Sequence, residues 1–264
     1  MSTIGLIVSG KIEANALLRH VENKKKLKLD TFDVYYFRLG ESDVFLTICE
    51  KNMKSASQAT ALLIAKVSPQ LLVSFGTAGA LETDVHVADI VLGKSVSLIE
   101  NGVFEQYLTL SSLPSETRKF LLEIIFRHRA RLIFGTIITV NGEQTISNYN
   151  KIRFNNPVLD METMGIAQIA ASKKIQLISI RGVSHNLAKH SPNNIHTIID
   201  YIWNYDKKLA IRKIILHPWL VFKLPEYFIN KIKASHIVAS TLFSMLRVLS
   251  FTSHDDDDDF YYQI

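Results

Sequence analysis

Four short stretches carry the side chains of this chain that could do chemistry. Asp160-Met-Glu162 stands between a short apolar run, Val158-Leu159, and a segment with Met164, Ile166, Ala167, Ile169 and Ala170 at helical spacing, which predicts a strand passing into a helix. Carboxylates at that junction gain from the positive end of the helix dipole, and the carboxyl edge of an α/β sheet is where such folds place ligands. Two readings fit the triplet: N-terminal capping by Asp160 and Glu162, or a ligand-facing pair. Glu13 lies near a second strand-to-helix turn and by itself reads as a favourable first-turn carboxylate. Gly76-Thr-Ala-Gly79 follows an apolar run at 71–75, and its small residues suit either a tight steric turn or the close approach of a ligand to the Thr77 hydroxyl and the backbone N–H groups. The run at 176–183 delivers Ser184, His185 and Asn186 to the same edge as Glu162. An imidazole there can donate a hydrogen bond in either charge state; a loop histidine without a role is the competing reading.

Regular elements must hold these residues. The continuous apolar run at 4–8 predicts a strand buried on both faces, followed by a helical period at 13–20. Strands are expected at 33–37 and 44–48, joined by the turn signal at 40–43. A helix of small residues at 55–65, ending before Pro69, then links 44–48 to 71–75 as a βαβ unit with a parallel strand pair. Residues 99–112 carry little signal, 114–129 read as a helix and 133–140 as a β-branched strand. The lysines at 24–28 read as a solvated helix-to-strand turn, and Asp89 as a structural residue ahead of the next strand.

With 264 residues and 47% hydrophobic content the chain can bury a full core, as one domain with an appendage. Its single cysteine, Cys49, excludes an internal disulfide and a cysteine-based zinc cluster, and the N-terminus reads as a first strand rather than an export signal. The net charge of +5 includes five aspartates at 255–259, and no stripe of Lys and Arg with interleaved aromatics marks the body as a nucleic-acid binder. Beyond Pro192 the chain turns to helical runs broken at Pro218 and Pro225, with Trp219, Phe222, Tyr227 and Phe228 among lysines and arginines. No uncharged apolar run there reaches the roughly 18 residues of a membrane span. Such basic amphipathic helices suit an anionic membrane surface, a dimer interface or packing on the core.

In order and spacing, Val73-Ser-Phe-Gly-Thr-Ala-Gly-Ala80, the Asp160-Met161-Glu162 triplet and Ile180-Arg-Gly-Val-Ser-His-Asn186 resemble the nucleoside phosphorylase superfamily, most closely its methylthioadenosine/S-adenosylhomocysteine nucleosidase branch, over residues 3–200. The resemblance implies a three-layer αβα fold with a mixed, largely parallel central sheet, and hydrolysis of the N-glycosidic bond of a purine nucleoside, a 5′-substituted adenosine, without cofactor or metal. It assigns Glu13 to activation of the attacking water, Glu162 to the ribose hydroxyls, Met161 to the underside of the sugar, and Thr77, Ala78, Gly79 and Ser184 to the pocket wall. His185 stands where the family carries an Asp near purine N7, which implies either an acid with altered pH dependence or a nucleoside-binding relative that has lost its acid. Ser74 occupies the position of an arginine in the hexameric phosphorylases, which implies water rather than phosphate as acceptor. The family's base-stacking aromatic has no counterpart in register, and Tyr149 or Phe154 would need a loop shift to replace it. The tail resembles that of the hopanoid-associated phosphorylases, which act on an adenosyl lipid. The expected organisation is a nucleosidase-like domain over 1–200, a basic helical extension over 201–251 and an acidic disordered tail over 252–264. A cytoplasmic homodimer, with its C-terminal helices peripheral on the inner face of the membrane, completes the expectation.

Overall fold

The computed structural model describes residues 2–100, 103–127, 130–141, 154–187 and 224–251. β1 (Thr3–Val8) is apolar almost throughout because it is covered on both edges and both faces, lying between the parallel strands β4 (Ser42–Ile48) and β5 (Leu71–Ala80). α1 (Lys11–Leu18) follows it directly. β2 (Lys24–Leu29) and β3 (Phe32–Leu39) extend the sheet beyond β4 as an antiparallel meander. The lysines at 24–28 therefore form an edge strand instead of a turn, with Lys26 and Lys28 reaching Asp33 at 3.1 and 3.8 Å. Charged side chains on an exposed edge discourage pairing with another chain, so the segment satisfies strand geometry despite its polarity.

α2 (Met53–Val67) starts at Asn52, whose side chain accepts from the Ser55 N–H at 2.7 Å, and stops at Ser68, which adopts a left-handed conformation ahead of Pro69. β4 and β5 run parallel as expected of a βαβ unit, but β1 lies between them, so the crossover skips one strand. β6 (Ile90–Glu100), β7 (Val103–Thr109), α3 (Ser115–Arg127), β8 (Leu132–Asn141), β9 (Val158–Asp160), α4 (Thr163–Ser172) and β10 (Gln176–Asn186) complete the ten-stranded mixed sheet, ordered β10-β6-β8-β9-β5-β1-β4-β3-β2 with β7 beside β6. A further pairing of β10 with β5 closes β5, β9, β8, β6 and β10 into a ring. This closure changes the expected glycine loop. Residues 76–79 remain strand, because β10 and β9 hydrogen-bond to the two sides of β5 through Ala80. Asp89, just before β6, accepts from the His86 N–H at 2.8 Å and from Arg131 at 3.1 Å, which fixes the entry to that strand.

Helices cover both faces. α2 and α4 pack on one through Ala56, Ala59, Leu63, Met164, Ile166 and Ala167. Gly165 lets them meet, since a β-carbon there would overlap the Met53 carbonyl. α1, α3 and α5 (Leu224–Phe251) cover the other, where Leu17, Leu121, Val238, Leu242 and Met245 are buried together. The Pro225–Leu249 span is long and apolar enough to cross a membrane by length and composition. Its Ala234, Val238, Ala239, Leu242, Met245 and Leu246 are nevertheless fully buried against the sheet. Gly182 on β10 permits that contact: a β-carbon there would stand 2.7 Å from the Ala234 carbonyl oxygen. The second half of the segment read as an extension thus supplies a core helix, while 201–223 and the acidic tail lie outside the described residues.

Candidate active site

The register of β5 brings the singled-out residues to one end of the sheet. Thr77, Ala78 and Gly79 pair with Gly182, Val183 and His185 of β10 on one side, and Gly79 pairs with Leu159 of β9 on the other. The Asp160-Met161-Glu162 triplet leaves β9 at that end, and Ser9, at the end of β1, leads through Gly10 into α1 and Glu13. Glu13, 2% exposed, accepts a hydrogen bond from the Thr77 hydroxyl on Oε1 at 2.9 Å, while its buried Oε2 has no partner among the described residues. Its carboxylate lies over Gly10, where any β-carbon would overlap it. A buried, half-satisfied carboxylate costs stability and suits a task that a ligand or water completes.

The acidic triplet divides its labour. Asp160 accepts from the Thr139 hydroxyl at 2.7 Å, from the Thr163 N–H and hydroxyl, and from Arg181 Nη2 at 2.9 Å. It therefore caps α4 and closes a buried ion pair. Arg181, 2% exposed, extends the knot to Ser74 at 2.7 Å and to Thr163 at 2.6 Å. Glu162 makes none of the side-chain capping bonds that the sequence also allowed it; among the described residues it accepts a 3.3 Å bond from the Met161 N–H, and Ser9 donates to it. Burial, followed by the neighbouring Asp160 charge, pushes the Glu162 carboxyl up to about 7, against the opposing influence of Lys51 and Arg181. Cys49 lines the same small internal space as Glu162, Ser74 and Gly76, and burial holds its thiol far above the ordinary range, so it is no nucleophile at neutral pH.

On β10 a bulge at Ser184 separates Val183 from His185 in the ladder with β5. Ser184 donates to the Ala78 carbonyl at 3.2 Å and lies 2.9 Å from His185 Nδ1. A Ser184 hydroxyl that donates to Ala78 leaves its oxygen to accept from Nδ1, and in that arrangement Nε2 carries a proton only on a charged ring. The ring lies over Gly79, since a β-carbon there would stand 2.7 Å from Nε2, and faces Tyr227 of α5 at a centroid distance of 6.0 Å. Asn186 donates to the carbonyls of Glu82 and Val85, a structural role.

Met161 packs with Leu81, Leu159 and Phe154 against Ile138 and Val140. Phe154 thus reaches the triplet's neighbourhood and also faces Phe104 at 6.3 Å, whereas Tyr149 lies outside the described residues. Two features had no sequence signal. Arg181, read only as part of a strand, is the partner that immobilises Asp160. The N-terminal turns of α5 are the other: Phe228 and Lys231, with Ser9, Gly10, Glu13, Glu50 and Lys51, line a cavity of about 610 Å³ beside Glu13. Among the described residues no group of three or more His, Cys, Asp or Glu is placed to hold a metal ion.

A family model described as the phosphorylase superfamily matches residues 3–211 of the chain. Among curated relatives, the 5′-methylthioadenosine/S-adenosylhomocysteine nucleosidase of Buchnera aphidicola subsp. Schizaphis graminum is 24% identical over 211 residues, 73% of this chain and 89% of that protein. The corresponding nucleosidase of Glaesserella parasuis is 22% identical over 71% of this chain and 87% of its own length. In three dimensions the fold is similar to the Campylobacter jejuni methylthioadenosine/S-adenosylhomocysteine nucleosidase, with a TM-score of 0.69 at 15% identity over 94% of this chain and all of that one. It is also similar to a futalosine hydrolase mutant of Helicobacter pylori, at 0.65 and 13% identity over 93% of this chain and 99% of that one.

Proposed function

The chain belongs to the phosphorylase superfamily, and from that premise we propose that it is a nucleosidase that hydrolyses the N-glycosidic bond of a purine nucleoside, a 5′-substituted adenosine. The observation that carries this reading is Glu13: buried, held by Thr77 on one oxygen and, among the described residues, without a partner on the other. Cleavage of such a bond passes through a sugar with oxocarbenium character, so catalysis needs a nucleophile below the anomeric carbon, a grip on the ribose and a donor for the departing base. In this reading the free Glu13 oxygen takes the proton of the attacking water. Glu162, spared from capping, accepts from the ribose hydroxyls, and Met161 packs under the sugar. Thr77, Ala78, Gly79 and Ser184 form the wall between them, and His185, charged, donates from Nε2 to the base. The names of the curated relatives support the adenosine class.

Water as the acceptor is supported by the surroundings of Ser74. A phosphate dianion needs cationic donors. The guanidinium that bonds Ser74, that of Arg181, already serves Asp160 and Thr163 as well. The test is a panel of purine nucleosides assayed for released base with and without phosphate. Base release independent of phosphate is expected. Strict dependence on phosphate would make the protein a phosphorylase, and tight binding without release would make it a nucleoside-binding relative. The hopanoid-type substrate rests on the tail, of which 201–223 and 252–264 are outside the described residues.

A further inference from the structure

We propose that the lysine-rich outer edge of the sheet, along β2, is a docking surface for the acidic run at 255–259 of the same molecule. The inference is independent of the nucleosidase reading. β2 is the last strand of the sheet: it pairs with β3 on one side, and among the described residues no strand pairs with the other. Its Lys24, Lys25, Lys26 and Lys28 are all exposed. Alternation along the strand puts Lys24, Lys26 and Lys28 on one face, and Lys25 with the 44% exposed Leu27 on the other. On the first face Asp33 receives Lys26 at 3.1 Å and Lys28 at 3.8 Å, and its carboxyl is held below the ordinary range, first by the hydrogen bond from Lys26 and further by the charges of Lys28 and Lys11. One carboxylate thus serves several cations. Lys24 donates to the Leu18 and Val21 carbonyls at 2.8 and 2.9 Å, which uses two of its three donors. Glu22 and Asp30 stand beyond the two ends of the strand, so the positive charge is concentrated on the strand itself. Lysines on an edge keep neutral and basic segments from adding to it, and they attract an acidic one.

The course of α5 delivers such a segment to this edge. α5 runs beside α1 in the same direction. Phe228 shares the cavity at the start of α1 with Gly10 and Glu13, His236 Nε2 lies 3.4 Å from Arg19 Nη1, and Phe243 stacks on His20, just past the end of α1, at 5.3 Å. From Phe243 the helix continues to Phe251, two turns or about 12 Å further. Phe243 and Leu249 pack against the same core as Tyr35 and Leu39 of β3, the strand that lies about 4.8 Å from β2. β2 starts at this end of the molecule too, since Lys24 is bonded to the carbonyls that close α1. Asp255 to Asp259 follow Phe251 by four to eight residues, which reach about 13–29 Å when extended. The six residues of β2 span about 20 Å, so the aspartates can be laid along it from Lys24 onward. Exposed ion pairs are weak one at a time. Here five carboxylates meet four ammonium groups, and a connection of three residues holds them near the edge at an effective concentration on the order of millimolar.

The test uses the full-length chain with a nitroxide attached at Tyr261→Cys; Cys49 is buried and stays unlabelled. Paramagnetic broadening of the backbone amides is read by NMR at low and at high salt. The amides of β2 are expected to broaden at low salt while those of β7, which pairs with β6 away from that edge, do not. The effect should shrink as salt screens the charges and vanish when all five aspartates are replaced by Asn. Lys25→Glu with Lys28→Glu should abolish it as well, and combining that pair with replacement of the five aspartates by Lys should restore it. All of these positions are exposed or lie beyond α5, so the variants keep the core intact. Equal broadening of β2 and β7, or broadening that survives removal of the aspartates, overturns the proposal. Broadening that appears on β2 of an isotope-labelled chain without nitroxide, mixed with the spin-labelled one, overturns it too, because the contact then belongs to the tail of a second copy.

Discussion

Asp160 and Glu162 lie two residues apart and have opposite surroundings. Asp160 is ringed by Thr139, Thr163 and Arg181, so its charge is consumed inside the protein. Glu162 has one long backbone bond and Ser9, and burial beside Asp160 pushes its carboxyl up to about 7. Glu13, with one oxygen on Thr77 and the other without a partner among the described residues, belongs with Glu162. The difference separates two uses of buried charge. A fully partnered charge holds elements in register, here β9, α4 and β10, and tolerates no ligand. An incompletely partnered charge weakens the empty protein and is retained where a ligand supplies the missing bonds.

The sharpest way to break this comparison is Glu13→Gln. Loss of a proton acceptor that works only in the transition state should depress turnover by about 10²- to 10⁴-fold. Stability should hold or rise, because the amide removes a half-satisfied buried charge. Single-turnover base release beside urea denaturation reads both quantities. A variant with unchanged turnover would place Glu13 with Asp160, among the structural charges.

Arg181→Met tests the other side. It strands Asp160 in the interior, and removing one partner of a buried ion pair costs about 3–5 kcal/mol. The double variant Asp160→Asn/Arg181→Met should recover much of that loss, because nothing charged is left unpaired. Urea unfolding midpoints decide it. If the single and double variants lose the same amount, Arg181 acts through packing or through Ser74 and Thr163 instead of through Asp160.

Much of this arrangement was legible from local pattern. The apolar run of β1, the small-residue helix α2 before Pro69 and the strand-to-helix passage at 158–170 each follow from spacing and residue type. What stayed hidden was set by strand pairing. The strand through Gly76–Gly79 continues because β9 and β10, remote in sequence, flank it. The lysine-rich β2 pairs with β3 just across a hairpin turn, where Asp33 meets Lys26 and Lys28; its polarity, not distance, made it read as a turn. At the candidate site the sequence located the carboxylates but could not rank Asp160 against Glu162, because Arg181, 21 positions from Asp160, decides which of them is saturated. Likewise Lys231 reads as one more basic tail residue until α5 lays it against Glu13's cavity.

Gly79→Ala should have a smaller effect than either variant above. Its β-carbon would stand 2.7 Å from His185 Nε2 and 2.8 Å from Leu187 Cδ1, so the imidazole must move. Displacing a donor by about 1 Å costs up to about 10²-fold in turnover. His185→Ala should lose at least as much, and adding Gly79→Ala to it should cost little more. Additive losses would instead mean that Gly79 acts by some route other than the imidazole.

The mildest expected effect is a pH dependence carried by Glu162. Its carboxyl ionises near 7 in the folded chain, above an ordinary value of 4.5. For an acid shifted upward, folding favours the protonated form. The contribution to stability is complete below about pH 4.5 and is lost as pH rises through about 7. Ligand binding has the opposite sign. A carboxylate accepts two ribose hydroxyls, whereas the protonated acid has given up part of that capacity. Nucleoside affinity measured on the Glu13→Gln protein should therefore rise with pH by up to about tenfold per unit below the midpoint and level off above it. Lys51, which holds Glu162 down, supplies a second handle: Lys51→Met should move the midpoint to higher pH, and Glu162→Gln should flatten the profile. A profile that stays flat from about pH 5 to 8 in the parent protein would show that Glu162 is not the group that meets the sugar.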